Sequence, residues 1–338
     1  MWLFNFYQNT MEDQIRLFEM VKSKISSKLA FVDEIEDLLN VSKECAYRRI
    51  RGETVLSFAE WKKISEKYHL SIDGIINYKS DNSAVFQYSP VDISNIDSYV
   101  ACLKRLLNFM EEVSVSSNKK ELIFSALDIP VYHICKYPDL AFFKLYIWND
   151  TLNSNSVSFE KFYDGLQKDK ILSVYDQIHQ AYMNIPSIEV CTEQTIDVFL
   201  REFVFYFETG RFESKDTALF LLDKFLSLIE MLKNYADVGY KDKEREIPFL
   251  LYSCSVDLEN SFLLLKNGDQ KYCVLDLYAI SRIFTDNDLL CAETGKWMDS
   301  LISKSMLISG SGAFKERLRF FQTIKKKIVA IIEKVSLS

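Results

Sequence analysis

The stretch VSKECAYRRIRGE at residues 41–53 sets the tightest local constraint in the chain. Ser42 is a good helix N-cap and Gly52 a good stop, so a helix beginning at Lys43 is confined to about residues 43–51. Upstream, Phe31, Ile35, Leu38 and Leu39 recur at helical spacing, which predicts another short helix over 30–39. Only Asn40, Val41 and Ser42 separate the two. Asn tolerates the left-handed backbone that ends a helix, so the chain has two short helices meeting across a tight turn.

The neighbourhood completes a small helical domain. Residues 12–26 place Ile15, Phe18, Val21 and Ile25 on one helical stripe. Ser57 starts a helix over 57–68 whose expected inner residues are Phe58, Trp61, Ile64 and Tyr68. Ser71 caps a last short helix, IDGIIN, and His69 at the preceding helix end suits that helix's dipole. Five short helices within residues 1–80 are enough for an independent domain.

The face of helix 43–51 then carries the chemistry. Ala46 and Ile50, at i and i+4, form a small apolar inner face, with Val41 as the buried turn residue. Lys43, Tyr47 and Arg51 fall on one outer edge, and Glu44 and Arg48 on the adjacent one. Arg matches guanine bidentately, Lys can donate to the same edge, and Glu can accept from cytosine. Arg51 and the helix N-terminus at Ser42 suit phosphates, which orient a protein on a duplex without reading sequence. The basic charge is local. The chain is −7 overall, residues 1–80 balance 12 Lys/Arg against 12 Asp/Glu, and residues 41–51 hold Lys43, Arg48, Arg49 and Arg51 against Glu44 alone.

VSKECAYRRIRGE and the following LSFAEWKKISEKYHLSIDGII resemble the phage-repressor (Cro/repressor) type of helix-turn-helix over about residues 12–78. The resemblance implies a DNA-binding domain of a transcriptional regulator, with its third helix in the major groove and Ser42, Lys43, Glu44, Tyr47 and Arg48 on the DNA face. Arg51 joins them as a phosphate contact. This sequence has Asn40 where the family usually has Gly, and Arg49 where it usually has an apolar residue, with apolarity moved to Ile50. Helix rotation is thereby open by one residue, and either Arg48 or Arg49 takes the groove-facing place. A solvated basic helix in a protein-interaction adaptor that binds an acidic partner is the alternative.

Residues 79–98 are rich in Ser, Asn and Asp and include Pro90, which predicts a linker at about 81–95. Beyond it, Gly (9 in the whole chain) and Pro (5) are too scarce for a turn-rich fold. Helices are expected at about 96–113, 138–150, 158–182, 193–209, 215–236, 287–303 and 313–334, several with dense Phe, Tyr and Leu stripes. After Pro248 the runs LLYSCSV, SFLLLK and KYCVLDL, with Asn267-Gly268-Asp269 as a hairpin turn, predict a small antiparallel sheet at about 249–284. The expected fold class is therefore mainly α, with a larger helical domain over 96–338. Residues 128–148 and 303–321 loosely resemble full-length helix-turn-helix regulators that carry such a domain. That resemblance implies an attached regulatory or assembly domain. One recognition helix contacts only a few base pairs, so homodimerisation over two half-sites is expected, and the domain is a candidate for sensing a small-molecule or peptide effector.

Other signals point away from catalysis. His133 and His179 have no second ligand at i+3 or i+4, so no metal site is expected. The seven Cys are scattered without a CxxC pair, which fits reduced thiols and a cytoplasmic location. ISGSGAFKER (308–317) lacks phosphate-loop spacing and reads as a Ser-capped helix start. No cofactor is implied. No run approaches a membrane span, and MWLFNFYQNT lacks the basic flank of a signal peptide; Met11 is a second candidate start.

Overall fold

The computed structural model describes residues 2–23, 25, 28–75, 84–88, 90–153, 157–242, 244–258 and 260–338, without the side chains of 2–10, 23, 28–30 and 73. The chain forms two compact units, Met1–Val85 and Phe86–Ser338. Residues 76–83 and 89, which include most of the C-terminal end of IDGIIN and part of the expected linker, lie outside the described residues.

The first unit contains α1 (Trp2–Ser23), α2 (Lys28–Leu39), α3 (Lys43–Ile50), α4 (Phe58–Tyr68) and α5 (Ile72–Ile75). Its core gathers Leu17, Phe18 and Val21 of α1, Phe31, Val32, Ile35 and Leu39 of α2, Ala46 of α3, and Trp61, Ile64 and Tyr68 of α4. Two expected core residues face outward. Ile15 is 40 % exposed because the α1 stripe is centred on Gln14, Leu17, Phe18 and Val21. Phe58 is 76 % exposed. It opens α4, where side chains lean back toward the N-terminus and overhang the helix end.

The second unit is built on an eight-stranded mixed sheet in the order β1-β7-β6-β5-β2-β3-β4-β8. The strands are β1 (Gln87–Tyr88), β2 (Lys120–Ala126), β3 (Ser187–Cys191), β4 (Phe249–Ser253), β5 (Phe262–Asn267), β6 (Gln270–Tyr278), β7 (Ser281–Thr285) and β8 (Met306–Leu307). Its helices, in chain order, are α6 (Ile96–Val115), α7 (Val131–Ile134), α8 (Pro138–Asn153), α9 (Phe159–Gly165), α10 (Asp169–Met183), α11 (Asp197–Glu208), α12 (Lys215–Val238), α13 (Asp288–Ser303) and α14 (Phe314–Leu337).

This architecture corrects the expectation of a mainly α fold with a small antiparallel sheet. β2, β3 and β4 are parallel neighbours joined by helical crossovers, as parallel strands require. Only β5, β6 and β7 form the antiparallel meander. Phe249–Ser253, expected within that meander, pairs with β3 instead. Of the missed parallel strands, β3 alternates but spans only five residues, and β2 lacks alternation. Residues 122–126 are buried on both faces, and an unbroken short apolar run cannot be told from buried helix by period.

Both faces of the sheet are covered. Ile123, Leu264 and Cys273 pack on Cys291 and Met298 of α13. Leu122, Phe124, Phe249, Leu251 and Leu265 face the main helical core. There Phe143 meets Phe159, Phe199 and Phe203 at 5.4, 5.8 and 5.7 Å between ring centroids. The aromatic stripes are therefore packing material. At residues 308–317 the carbonyls of Ile308, Gly310 and Gly312 turn inward and accept from Arg317 at 3.0, 2.9 and 3.0 Å. The residue preceding α14 is Ala313 in a left-handed conformation, without a side-chain cap. Among the described residues no helix is long and apolar enough to cross a membrane, and no group of His, Cys, Asp and Glu could hold a metal ion.

Candidate nucleic-acid interface

The turn between α2 and α3 is built as its residues require. Asn40 takes a left-handed φ of 53°, and the Ser42 hydroxyl accepts from the Cys45 amide at 3.4 Å. At the other end Gly52 has φ +75°, a conformation that costs any residue with a Cβ. Thus α3 runs for eight residues, about two turns.

Within those two turns the side chains separate. Ala46 is fully buried, and Val41 and Ile50 pack partly against the same core. Arg49 points the same way as Ala46. Its Nε donates to Glu60 Oε1 at 2.9 Å, and both side chains are only 17 % exposed. The second oxygen of Glu60 accepts from the Ser57 amide and hydroxyl at 2.7 and 2.9 Å, closing a capping box on α4. Burial by itself would raise the Glu60 pKa; the Ser57 contacts and the Arg49 charge outweigh it and hold the carboxyl below its ordinary value. Arg49 is in this way committed to α4, and Arg48 is the arginine left on the outward edge.

That edge holds the remaining expected residues. At about 100° per residue, Tyr47, Arg51, Glu44 and Arg48 occupy an arc of roughly 100° opposite Ala46. All four are exposed, as are Ser42 and Lys43. The Arg51 guanidinium lies 5.7 Å from the centre of the Tyr47 ring. Glu53, just past the helix, stands 3.3 Å from Arg51 and 4.0 Å from Arg48. Lys43 sits to the side and pairs with Asp33 of α2, a hydrogen bond that raises its pKa. The positive charge on this face is therefore partly met within the domain, by contacts that are exposed and easily exchanged.

One residue that sequence reasoning passed over sets the exit of α3. Gln14 of α1 is fully buried. Its Nε2 donates to the carbonyls of Arg49 and Thr54 at 2.7 and 2.9 Å, and its Oε1 accepts from the Leu56 amide at 2.8 Å. One amide group thus ties α1 to the last turn of α3 and to the loop leading into α4. The signal in the sequence was a polar residue on an otherwise apolar stripe.

No family model matches the chain, and no curated protein does. A solved structure found by its shape is that of TrmBL2, an archaeal chromatin protein described as showing a novel mode of DNA binding. It is 9 % identical, covers 78 % of this chain and 67 % of its own, and aligns with a TM-score of 0.22. A likeness that slight carries no argument about this chain.

Proposed function

We propose that this chain is a sequence-specific double-stranded DNA-binding protein that acts as a transcriptional regulator. α3 enters the major groove, α2 braces it, and the second unit serves dimerisation. The reading is supported by one observation above the rest. α3 has its inner face filled by Ala46, its odd arginine taken up by Glu60, and both ends fixed at Ser42 and Gly52. What remains outward is one compact set of long polar side chains on a helix two turns long, the size and chemistry that groove recognition uses. Arg48 and Glu44 are placed for base edges. Ser42, Lys43, Tyr47 and Arg51 are placed for the backbone. A single short helix reads few base pairs, so two copies on half-sites about one helical turn apart complete the site.

The test is a selection from random duplexes with the full-length protein, followed by titration of the enriched site at several salt concentrations. A defined motif is expected, with log affinity falling linearly in log salt by about 0.9 per phosphate neutralised. A selection without an enriched motif, or binding indifferent to Arg48→Ala, rejects the reading and favours an adaptor that uses the same face on an acidic protein.

A further inference from the structure

α6 and the antiparallel part of the sheet do not close fully on each other. Between them lies a cavity of about 380 Å³, within the range of roughly 300–1,000 Å³ typical of small-molecule sites. Native cores leave few voids larger than a water molecule, so a space this large beneath a covered sheet is a structural feature in its own right. Leu106 and Phe109 of α6 form one wall, and Leu263 of β5, Val274 of β6 and Phe284 of β7 form the other. The wall is held open by rigid contacts: Phe109 meets Tyr272 edge-on at 5.3 Å and lies 6.4 Å from Phe284.

The lining is largely apolar; its polar members are Gln87, Asn108 and Ser261, together with one charged group around Arg282. Arg282 donates through Nε to Asp276 at 2.6 Å, and its Nη edge has no hydrogen-bond partner among the described residues. Tyr132 is 4 % exposed, and its hydroxyl is buried without a partner. Burial, and after it the charge of Glu189, pushes its pKa well up, so it stays protonated. Arg105 of α6 adds a second guanidinium to the rim, against Asp276 as the one carboxylate in the lining. The free edge of Arg282 and a surplus of positive charge therefore border a largely apolar chamber. An incoming anion would pair with the free edge of Arg282.

We propose that this cavity binds a small apolar molecule bearing one anionic group, its body between Phe109, Leu263 and Val274 and its anion on Arg282. The class is that of a medium-length aliphatic or aromatic carboxylate. The apolar walls supply affinity and Arg282 supplies selection for the anion.

Titration calorimetry of the full-length protein with decanoate, decanol and acetate tests this. Decanoate is expected to bind saturably at one site, decanol about tenfold or more weaker, the loss of one charge-assisted pairing, and acetate not measurably. Val274→Trp fills the chamber and should abolish decanoate binding. The paired change Arg282→Gln with Asp276→Asn removes both charges without stranding a carboxylate. It should bring decanoate down to the level of decanol and leave decanol unchanged. The proposal is overturned if decanoate does not bind, if decanol binds as tightly, or if the paired variant takes decanoate like the wild type.

Discussion

Replacing Gln14 with leucine keeps the side-chain volume and removes all three hydrogen bonds that hold the end of α3. The Arg49 carbonyl still receives the Gly52 amide at 3.0 Å. The Thr54 carbonyl and the Leu56 amide are stranded in a buried setting, because Gln14 is their only hydrogen-bonding partner among the described residues. A stranded buried group costs about 1–3 kcal/mol, and the added apolar burial of leucine returns about 1–2 kcal/mol. For the two groups together the net loss is about 1–4 kcal/mol. A unit spanning Met1–Val85 has a total stability of roughly 4–13 kcal/mol, so the variant gives up a substantial fraction of it. The melting temperature of that unit should fall by roughly 5–30 °C. Differential scanning calorimetry reads the shift, and amide exchange across residues 51–57 reads its location, with the Leu56 amide losing its protection. Gln14→Glu is the discriminating control. It can still accept from Leu56 but turns a carboxylate onto two carbonyls, so it should be at least as damaging as leucine at neutral pH. If Gln14→Leu unfolds within about 0.5 kcal/mol of wild type, the size of an ordinary surface change, the lock assigned to this residue does not exist.

Arg48→Ala should leave the denaturation midpoint unchanged and weaken binding to the selected duplex by about 1–3 kcal/mol, read by fluorescence anisotropy on matched and mismatched sites. Arg49→Ala should do the reverse, lowering stability by about 1–2 kcal/mol in urea unfolding because it empties a mostly buried pair. Gly52→Ala places a Cβ at a φ of +75° with only ordinary contact to Ile15, so backbone strain alone should cost about 1–2 kcal/mol. For the second unit, burial lowers His179 from 6.5 to about 4. Its imidazole is neutral when folded and protonated when unfolded between those values, so stability is present above pH 6.5 and lost as pH falls toward 4. The full effect is about 3 kcal/mol, and urea midpoints measured across that window should slope upward with pH in the wild type and flatten in His179→Gln.

What could be read ahead of the structure was local. Asn40, Ser42, Gly52 and Ser57 each act on their own stretch of backbone, and each stands where its intrinsic preference puts it. Most helices of the second unit were legible from their apolar stripes, but the single helix expected over 158–182 is two, α9 and α10, and the short α7 was not anticipated. Strand partners were not. β2 and β3 lie about sixty residues apart with four helices between them; β2 lacks the period-two pattern that marks a half-exposed strand, and β3 shows it over only the five residues SIEVC. The sheet exists because those helices bring the strands together, and nothing within either strand encodes that. Gln14 was hidden differently. One polar residue in an apolar stripe reads as a flaw in the pattern until its three partners, 35 to 42 residues away, are in place.

The rotation of α3 shows why such pairings escape a one-dimensional reading. In the sequence, Arg49 stands where an apolar side chain would ordinarily seat the helix on its neighbour, and Glu60 already has a sufficient local role as the third helical residue of a capping box. Neither residue announces a need for the other. In the structure one carboxylate does both things, Oε2 closing the cap on Ser57 and Oε1 taking Arg49. The ion pair occupies the place of an apolar contact, and it carries directional information that an apolar contact lacks. Arg49 can reach Glu60 only if α3 is turned so that Arg48 faces out. The start of α4 and the outward face of α3 are consequently set by the same carboxylate. Glu60→Gln, which keeps the Ser57 contacts and weakens the hold on Arg49, should loosen the orientation of α3 while leaving α4 intact.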